Sequence, residues 1–241
     1  MKKYLLLASL AGALVMPSCS VPPMAVESSF KEQAEELPVA GRKVLKPNGD
    51  FMIGDYKVAN VHRGWRRDGG FNILGYDNVK SAQKYEFSLQ DPQTGGEWYV
   101  FGASNLHEKN LKSNNGITIQ VGPNKEYYAS HFTSPESGQW HLVTVDPGNY
   151  LTRKKFEGEV TNGITRYKVA PVYKFEGKSI PPGDILGYEF KDGEEVIGAV
   201  QVVNNGKVWM RPDLPQDTRM VLASAAASLL LYDKLKDTSV D

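Results

Sequence analysis

Residues 219–235 read RMVLASAAASLLLYDKL, and from Met220 to Tyr232 there are thirteen positions without a charge. Upstream, Asp213 is placed to cap a helix, with Pro215 in the first turn and Gln216 at the reach-back position. The segment therefore predicts a helix over about 214–235 that is apolar on every side, and such a helix has to be surrounded. Three surroundings are open. Thirteen residues at 1.5 Å each reach about 20 Å, short of the ~30 Å of a bilayer core, and Arg219 and Asp233 bracket the run. A helix–helix interface could use the small-residue pairs Ala223/Ala227 and Ser224/Ser228, but no comparable second helix is in the chain, so a dimer would be needed. The third surrounding is a closed wall of strands with a lumen wide enough for a helix about 10 Å across. The residues suit it best: Met220, Val221 and Leu222 at one end, Leu229 to Tyr232 at the other, and a waist of Ala and Ser. Ser224 and Ser228 can return their hydroxyls to carbonyls one turn back.

The rest of the chain supplies such a wall. DYKVANV (55–61), YEFSLQ (85–90), EWYVFGAS (97–104), GITIQV (116–121), EYYASHF (126–132), WHLVTV (140–145), RYKVAPVYKF (166–175), YEF (188–190), EVIGAVQVV (195–203) and KVWMR (207–211) read as ten strand segments. Between them lie turns such as DPQTGG, DGEE and NNG. Three marks recur in one order: YKVANV at 56–61 and YKVAPV at 167–172, YEF at 85–87 and 188–190, and Gly-Ala at 102–103 and 198–199. They indicate a duplicated β unit, with repeat one over about 50–122 and repeat two over about 160–211. The fold class expected is mainly β: a closed barrel of about twelve strands built from two repeats and threaded by the C-terminal helix, together spanning residues 50–236.

The chain has 241 residues, 28 basic and 28 acidic side chains, and one cysteine. Zero net charge disfavours a nucleic-acid partner. A lone cysteine excludes an intrachain disulfide and sites built on paired thiolates. At the N-terminus, two lysines precede an apolar run from Tyr4 to Met16, too short to span a bilayer and of the form of a secretory signal. The only cysteine, Cys19, follows directly, and MPSC resembles a bacterial lipobox, with Pro17 departing from the usual pattern. The resemblance implies removal of residues 1–18 and lipid on Cys19, hence a membrane partner in the bacterial cell envelope. Ser20, where a retention Asp would sit, favours the outer membrane. The alternative is an ordinary secretory signal cut before Val21. Residues 19–49, interrupted by Pro22, Pro23, Pro38 and Pro47, read as a lipidated tether. Within it SSFKEQAEEL can hold a short helix, Ser29 and Glu32 having capping-box spacing.

Two β-rich repeats followed by a terminal apolar helix resemble the tubby C-terminal domain superfamily, which includes phospholipid scramblases and LURP-one-related proteins. The resemblance rests on Tyr188 to Leu235 and on the YKVA and YEF repetition. It implies a barrel of roughly twelve strands around a C-terminal helix. Tubby domains bind phosphoinositides, lipids uncommon in bacteria, and no family binding motif carries over residue by residue.

The chemistry-bearing stretch is HRGWRRDGG (62–70), where Arg63, Arg66 and Arg67 flank Trp65. Arginine forks suit phosphate or carboxylate, and an indole suits a headgroup interface or a sugar face. These four residues are the candidate ligand site, for anionic lipid or glycan. The same residues also fit a solvated loop with the arginines paired to Asp68 and its neighbours, which the sequence by itself favours. His62, His107, His131 and His141 have no metal-ligand spacing, although His131 and His141 can converge across a hairpin. Glu86 and Glu189 occupy matching places in the repeats and would be the pair for a glycan hydrolase if one cleft held both. Outward-facing ion-pair partners is the simpler reading. No catalytic motif, metal site or cofactor is expected, and the function expected is a lipid-anchored structural or binding module, with an envelope hydrolase as the alternative.

Overall fold

The computed structural model describes residues 22–43, 48–63, 83–104, 110–112, 118–120, 126–135, 137–146, 156–178 and 184–232. Within them the strands are β1 (Glu35–Ala40), β2 (Phe51–Ile53), β3 (Tyr56–Arg63), β4 (Gln83–Gln90), β5 (Glu97–Ser104), β6 (Asn110–Lys112), β7 (Thr118–Gln120), β8 (Glu126–Ser134), β9 (Gly138–Asp146), β10 (Glu157–Thr161), β11 (Arg166–Val172), β12 (Gly187–Asp192), β13 (Glu195–Gln201) and β14 (Lys207–Met210). The helices are α1 (Ser28–Lys31) and α2 (Gln216–Leu231). Twelve strands close into one antiparallel barrel in the order β1-β14-β13-β12-β11-β10-β9-β8-β5-β4-β3-β2, while β6 and β7 form a separate two-stranded sheet. Closure leaves the barrel no edge strand.

The alternation of each strand explains what the lumen holds. Tyr85, Phe87 and Leu89 of β4, Tyr128 and Phe132 of β8, Trp140 and Leu142 of β9, and Tyr188 and Phe190 of β12 join one cluster with the helix residues Met220–Ala223, Ala225–Ala227 and Leu229–Leu231. Every side chain of α2 from Met220 to Leu231 is buried. The helix packs against β13 and also against β4, β5 and β8. Because β13 and β5 lie six places apart in a ring of twelve, a helix touching both runs through the interior. The apolar segment from Met220 to Leu231 is thus the axial core of the barrel.

The helix begins later than its sequence suggests. Pro215 occupies the N-cap without a side-chain cap, and the intrahelical run ends at Leu231. Asp213 is drawn away by Arg211. Gln216 reaches to Asp91 Oδ2 at 2.5 Å instead of back to the start of its own helix. Asp91, buried in the β4–β5 turn, also accepts from the Gln93 amide at 2.9 Å and the Thr94 hydroxyl at 2.8 Å. Arg219, one turn into α2, donates to Tyr56 Oη at 3.2 Å, to the Arg211 carbonyl at 3.1 Å and to Glu35 Oε2 at 2.8 Å. The N-terminal end of the helix is therefore fastened to β1, β3 and β14 as well as to the β4–β5 turn.

The repeated marks fall on two three-strand meanders, β3-β4-β5 and β11-β12-β13, each strand sitting six places round the barrel from its counterpart. The registers differ: Val58 pairs with Leu89, four residues beyond Tyr85, whereas Val169 pairs with Phe190, two residues beyond Tyr188. A shift of two residues keeps every side chain on its own face, so both meanders can share one inward pattern. Gly102 owes its identity to this packing, since a Cβ there would collide with the inward Tyr85 ring.

Residues 22–34, inside the stretch expected to be a tether, are packed on the outer wall. Met24, Phe30, Leu186, Val196, Ala199 and Trp209 form a second apolar cluster outside the barrel. The Met24 amide donates to Gln201 Oε1 at 2.8 Å, and the Ala25 amide donates to the Lys174 carbonyl at 2.8 Å. Lys31 pairs with Glu176 at 2.7 Å. Gly187 is bare because a Cβ there would collide with the Val200 carbonyl and Met24 Sδ. The short helix expected here exists as α1, though Ser29 donates to Glu27 Oε1 and makes no cap. The next six residues are β1, a barrel strand between β14 and β2. Trp209 is buried in this second cluster, beneath the outer segment.

Candidate functional site

Alternating strand direction sorts the connections between the two ends of the barrel. At the end where α2 begins, the links are short, from the two residues between β2 and β3 to the six between β4 and β5. At the end where α2 finishes, β3 leads to β4 through residues 64–82, β5 to β8 through 105–125, and β11 to β12 through 173–186. Long connections gathered at one end of a rigid scaffold are where binding residues concentrate.

Arg63 sits at the root of the 64–82 connection, and its direction is set by a bulge. Ala59 pairs with Ser88 and His62 with Glu86, so two residues of β3, Asn60 and Val61, face one of β4. Asn60 takes a left-handed φ of 56°, a conformation that asparagine tolerates better than most side chains. Strict alternation from Tyr56 and Val58 would point Arg63 outward. The extra residue resets the phase, so that Val61 joins the interior cluster and Arg63 turns in as well. Its Nη2 donates to the Leu231 carbonyl at 2.5 Å. Tyr85 donates from its hydroxyl to the Ser228 carbonyl at 2.9 Å, and the Tyr232 amide donates to that same carbonyl. Arg63 thus satisfies the Leu231 carbonyl, which the last turn of α2 leaves open, Tyr85 adds a second donor to the Ser228 carbonyl, and the guanidinium charge lies at the negative end of the helix dipole.

Around this closure the lumen is polar in patches. Ser130 donates to the Phe101 carbonyl at 3.0 Å, and its Oγ lies 3.1 Å from Ser228 Oγ. Ser228 therefore reaches the wall, while the buried Ser224 and Tyr128 hydroxyls have no hydrogen-bond partner among the described residues. Burial holds the Tyr85 phenol far above its ordinary range, against its hydrogen bonds and the Arg63 charge, which pull it down. It stays a neutral donor. Tyr128 stacks on Tyr232 with ring centres 4.4 Å apart, closing the apolar column above Leu231.

Of the four candidate ligand residues, Arg63 is engaged with the helix, and Trp65, Arg66 and Arg67 lie outside the described residues. Cys19 and His107 lie outside them too. Glu86 and Glu189 are outward residues of β4 and β12, on opposite sides of the barrel with α2 between them. Glu189 pairs with Lys191 at 3.3 Å. These two carboxylates cannot share a cleft. Between α1 and the β13–β14 wall is a cleft of about 80 Å³ lined by Phe30, Gln33, Glu195 and Arg211 among others. It is small beside the roughly 300–1,000 Å³ of a small-molecule pocket.

The histidines that sequence spacing left ambiguous do meet. His131 and His141 are a registered cross-strand pair on β8 and β9, with Nδ1 atoms 3.3 Å apart. Burial lowers the pKa of His131, and burial followed by the neighbouring His131 lowers that of His141 to about 4. Both imidazoles are neutral at pH 7. Among the described residues no group of three or more His, Cys, Asp or Glu side chains is placed to hold a metal ion, and no helix is long and apolar enough to cross a membrane.

Fold and site define a class, an antiparallel twelve-stranded barrel with a C-terminal helix packed within it. No protein-family model, curated protein or solved structure matches the chain.

Proposed function

We propose that the chain is a lipid-anchored protein of the bacterial envelope whose tubby-like barrel is a binding or structural module rather than an enzyme. Its anchor is lipid on Cys19 at the outer membrane. Its ligand is an anionic lipid headgroup or a glycan, taken at the end of the barrel where α2 finishes. The observation that carries the reading is the docked outer segment. Met24 follows Cys19 by five residues, about 18 Å at full extension, and is fixed to Gln201 and Phe175 at that same end. An anchor on Cys19 would hold this end against the bilayer. The connection bearing Trp65, Arg66 and Arg67 leaves β3 and returns to β4 there. A lumen filled by α2 favours a ligand at the rim over one inside. The placement of Glu86 and Glu189 leaves the hydrolase alternative without its carboxylate pair.

The test has two arms. In a Gram-negative host, Cys19→Ser is expected to move the protein from the membrane fraction to the soluble periplasm. Separately, the chain from Ser20 onward is mixed with phosphatidylglycerol vesicles and with lipopolysaccharide. Arg66→Gln/Arg67→Gln should weaken vesicle binding roughly 10- to 30-fold at low salt, since each basic residue near an anionic surface contributes about 1 kcal/mol. Arg63 is left intact because it closes α2. Membrane retention of the Cys19→Ser protein would overturn the anchor, and unchanged binding to both surfaces would overturn the ligand site.

A further inference from the structure

The outer face of β8 and β9 carries a second constellation, independent of any lipid anchor. Trp140 and Leu142 point into the lumen, as do Tyr128 and Phe132, so the alternate residues His131 and His141 point outward. They stand directly opposite each other, with Nδ1 atoms 3.3 Å apart. Their ring centres are 4.8 Å apart and their planes are inclined by 37°. The centres are farther apart than the nitrogens, so the rings splay away from a shared point instead of stacking face to face. Two nitrogens bound at 2.0–2.1 Å to one tetrahedral ion lie about 3.3–3.4 Å apart. We propose that His131 and His141 chelate a divalent transition-metal ion of the zinc and copper class through their Nδ1 atoms, with solvent completing the shell.

The surroundings fit that ligand chemistry. Phe101 and Thr161 flank the pair on β5 and β10, and Ala129, Thr133, Gln139 and Val143 are its outward neighbours along β8 and β9. None is charged. Among the described residues no carboxylate joins the pair in a metal-binding group, Glu159 opposite Val143 being held by Arg166 at 3.0 Å, and two imidazole nitrogens select zinc, copper or nickel over magnesium or calcium. Gln139, on the next rung towards the β8–β9 turn, is exposed and His131 is half-buried, whereas His141 is buried, so the open side of the pair is that of His131. In the chelate each neutral imidazole carries its hydrogen on Nε2, leaving the Nδ1 lone pair to the ion. A rigid antiparallel pair presets the separation, so an ion does not have to gather its ligands from mobile loops.

The experiment titrates zinc chloride into the tag-free chain from Ser20 onward, with magnesium chloride as the control. Imidazole ¹⁵N signals are followed by NMR, and stoichiometry is followed by competition with a chromophoric chelator. One equivalent of zinc is expected to shift the signals of His131 and His141 together, leave His62 in place, and give no response with magnesium. His131→Gln and His141→Gln, each checked for an unchanged melting profile, should each weaken zinc at least about tenfold. The proposal is overturned if the two imidazoles stay unmoved in the intact chain up to millimolar zinc. It is equally overturned if zinc binding survives both substitutions unchanged.

Discussion

A chain ending at Pro212 is expected to lose its cooperative thermal transition, bind hydrophobic dyes and associate, although it keeps every barrel strand. The reason is the composition of the missing piece. Met220, Val221, Leu222, Leu229, Leu230 and Leu231 are each at most 4% exposed. At about 1.5–3 kcal/mol per buried side chain they contribute on the order of 10–20 kcal/mol gross, as much as the net stability of a typical domain, about 5–15 kcal/mol. Their removal also exposes the inward aromatic residues of β4, β8, β9 and β12 to a water-filled lumen. The strands would still favour β structure, so the expected product is compact and loosely packed. Near- and far-ultraviolet circular dichroism with dye binding checks this. A truncated monomer that melts as sharply and as high as the parent would refute it.

Leu222→Ala is expected to destabilise the intact chain by about 2–5 kcal/mol. Leu222 has no exposed surface, and its Cδ1 lies over Gly198, which has no side chain to expand into the space left behind. Collapse around the cavity is therefore restricted, which favours the upper part of the range. For a domain of this size the melting temperature should fall on the order of 10 °C. Ile164→Ala is the matched control: Ile164 is 96% exposed in the β10–β11 turn, and its loss should stay within about 0.5 kcal/mol. Equal melting temperatures for the two variants would contradict a buried α2.

The helix was the most legible part of the chain, because thirteen uncharged residues have few environments available to them. Even so, its ends fall inside the expected 214–235, since Gln216 and Asp213 bond to Asp91 and Arg211, partners that sequence spacing does not reveal. Of the ten strand segments read from alternation, nine lie in the barrel wall and GITIQV lies in the side hairpin as β7. Three wall strands escaped notice, each for a local reason. β1 contains Pro38 and two glutamates, β2 has three residues, and β10 carries Gly158 between Glu157 and Glu159. Their strand character comes from neighbours on both sides, a tertiary effect that outweighs weak local preference. The docked segment 22–34 was read as a tether for the same reason: its prolines suggested a linker, while Met24 and Phe30 are too sparse to show periodicity.

The candidate site was less legible. Arg63 fell within HRGWRRDGG, legible as a ligand residue or as part of a solvated loop, and only the bulge at Asn60 turns it towards α2. A bulge signal was present in principle, since asparagine is among the residues that accept left-handed backbone. Tyr85 was visible only as part of a repeat, yet its hydroxyl holds the Ser228 carbonyl. His131 and His141 were placed correctly as residues able to converge across a hairpin. Their spacing of ten could not show whether they would register, because that depends on the length of the β8–β9 turn.

The central claim is that α2 is enclosed by the barrel and leaves it only when the barrel opens. Amide hydrogen exchange of the intact chain measures this directly, residue by residue, with low concentrations of denaturant. The amides of Met220 to Leu231 should exchange with the free energy and denaturant dependence of global unfolding, together with those of β4, β5, β8 and β13. Exchange of these helix amides through a local opening several kcal/mol below the global value, while the strands stay protected, would contradict it.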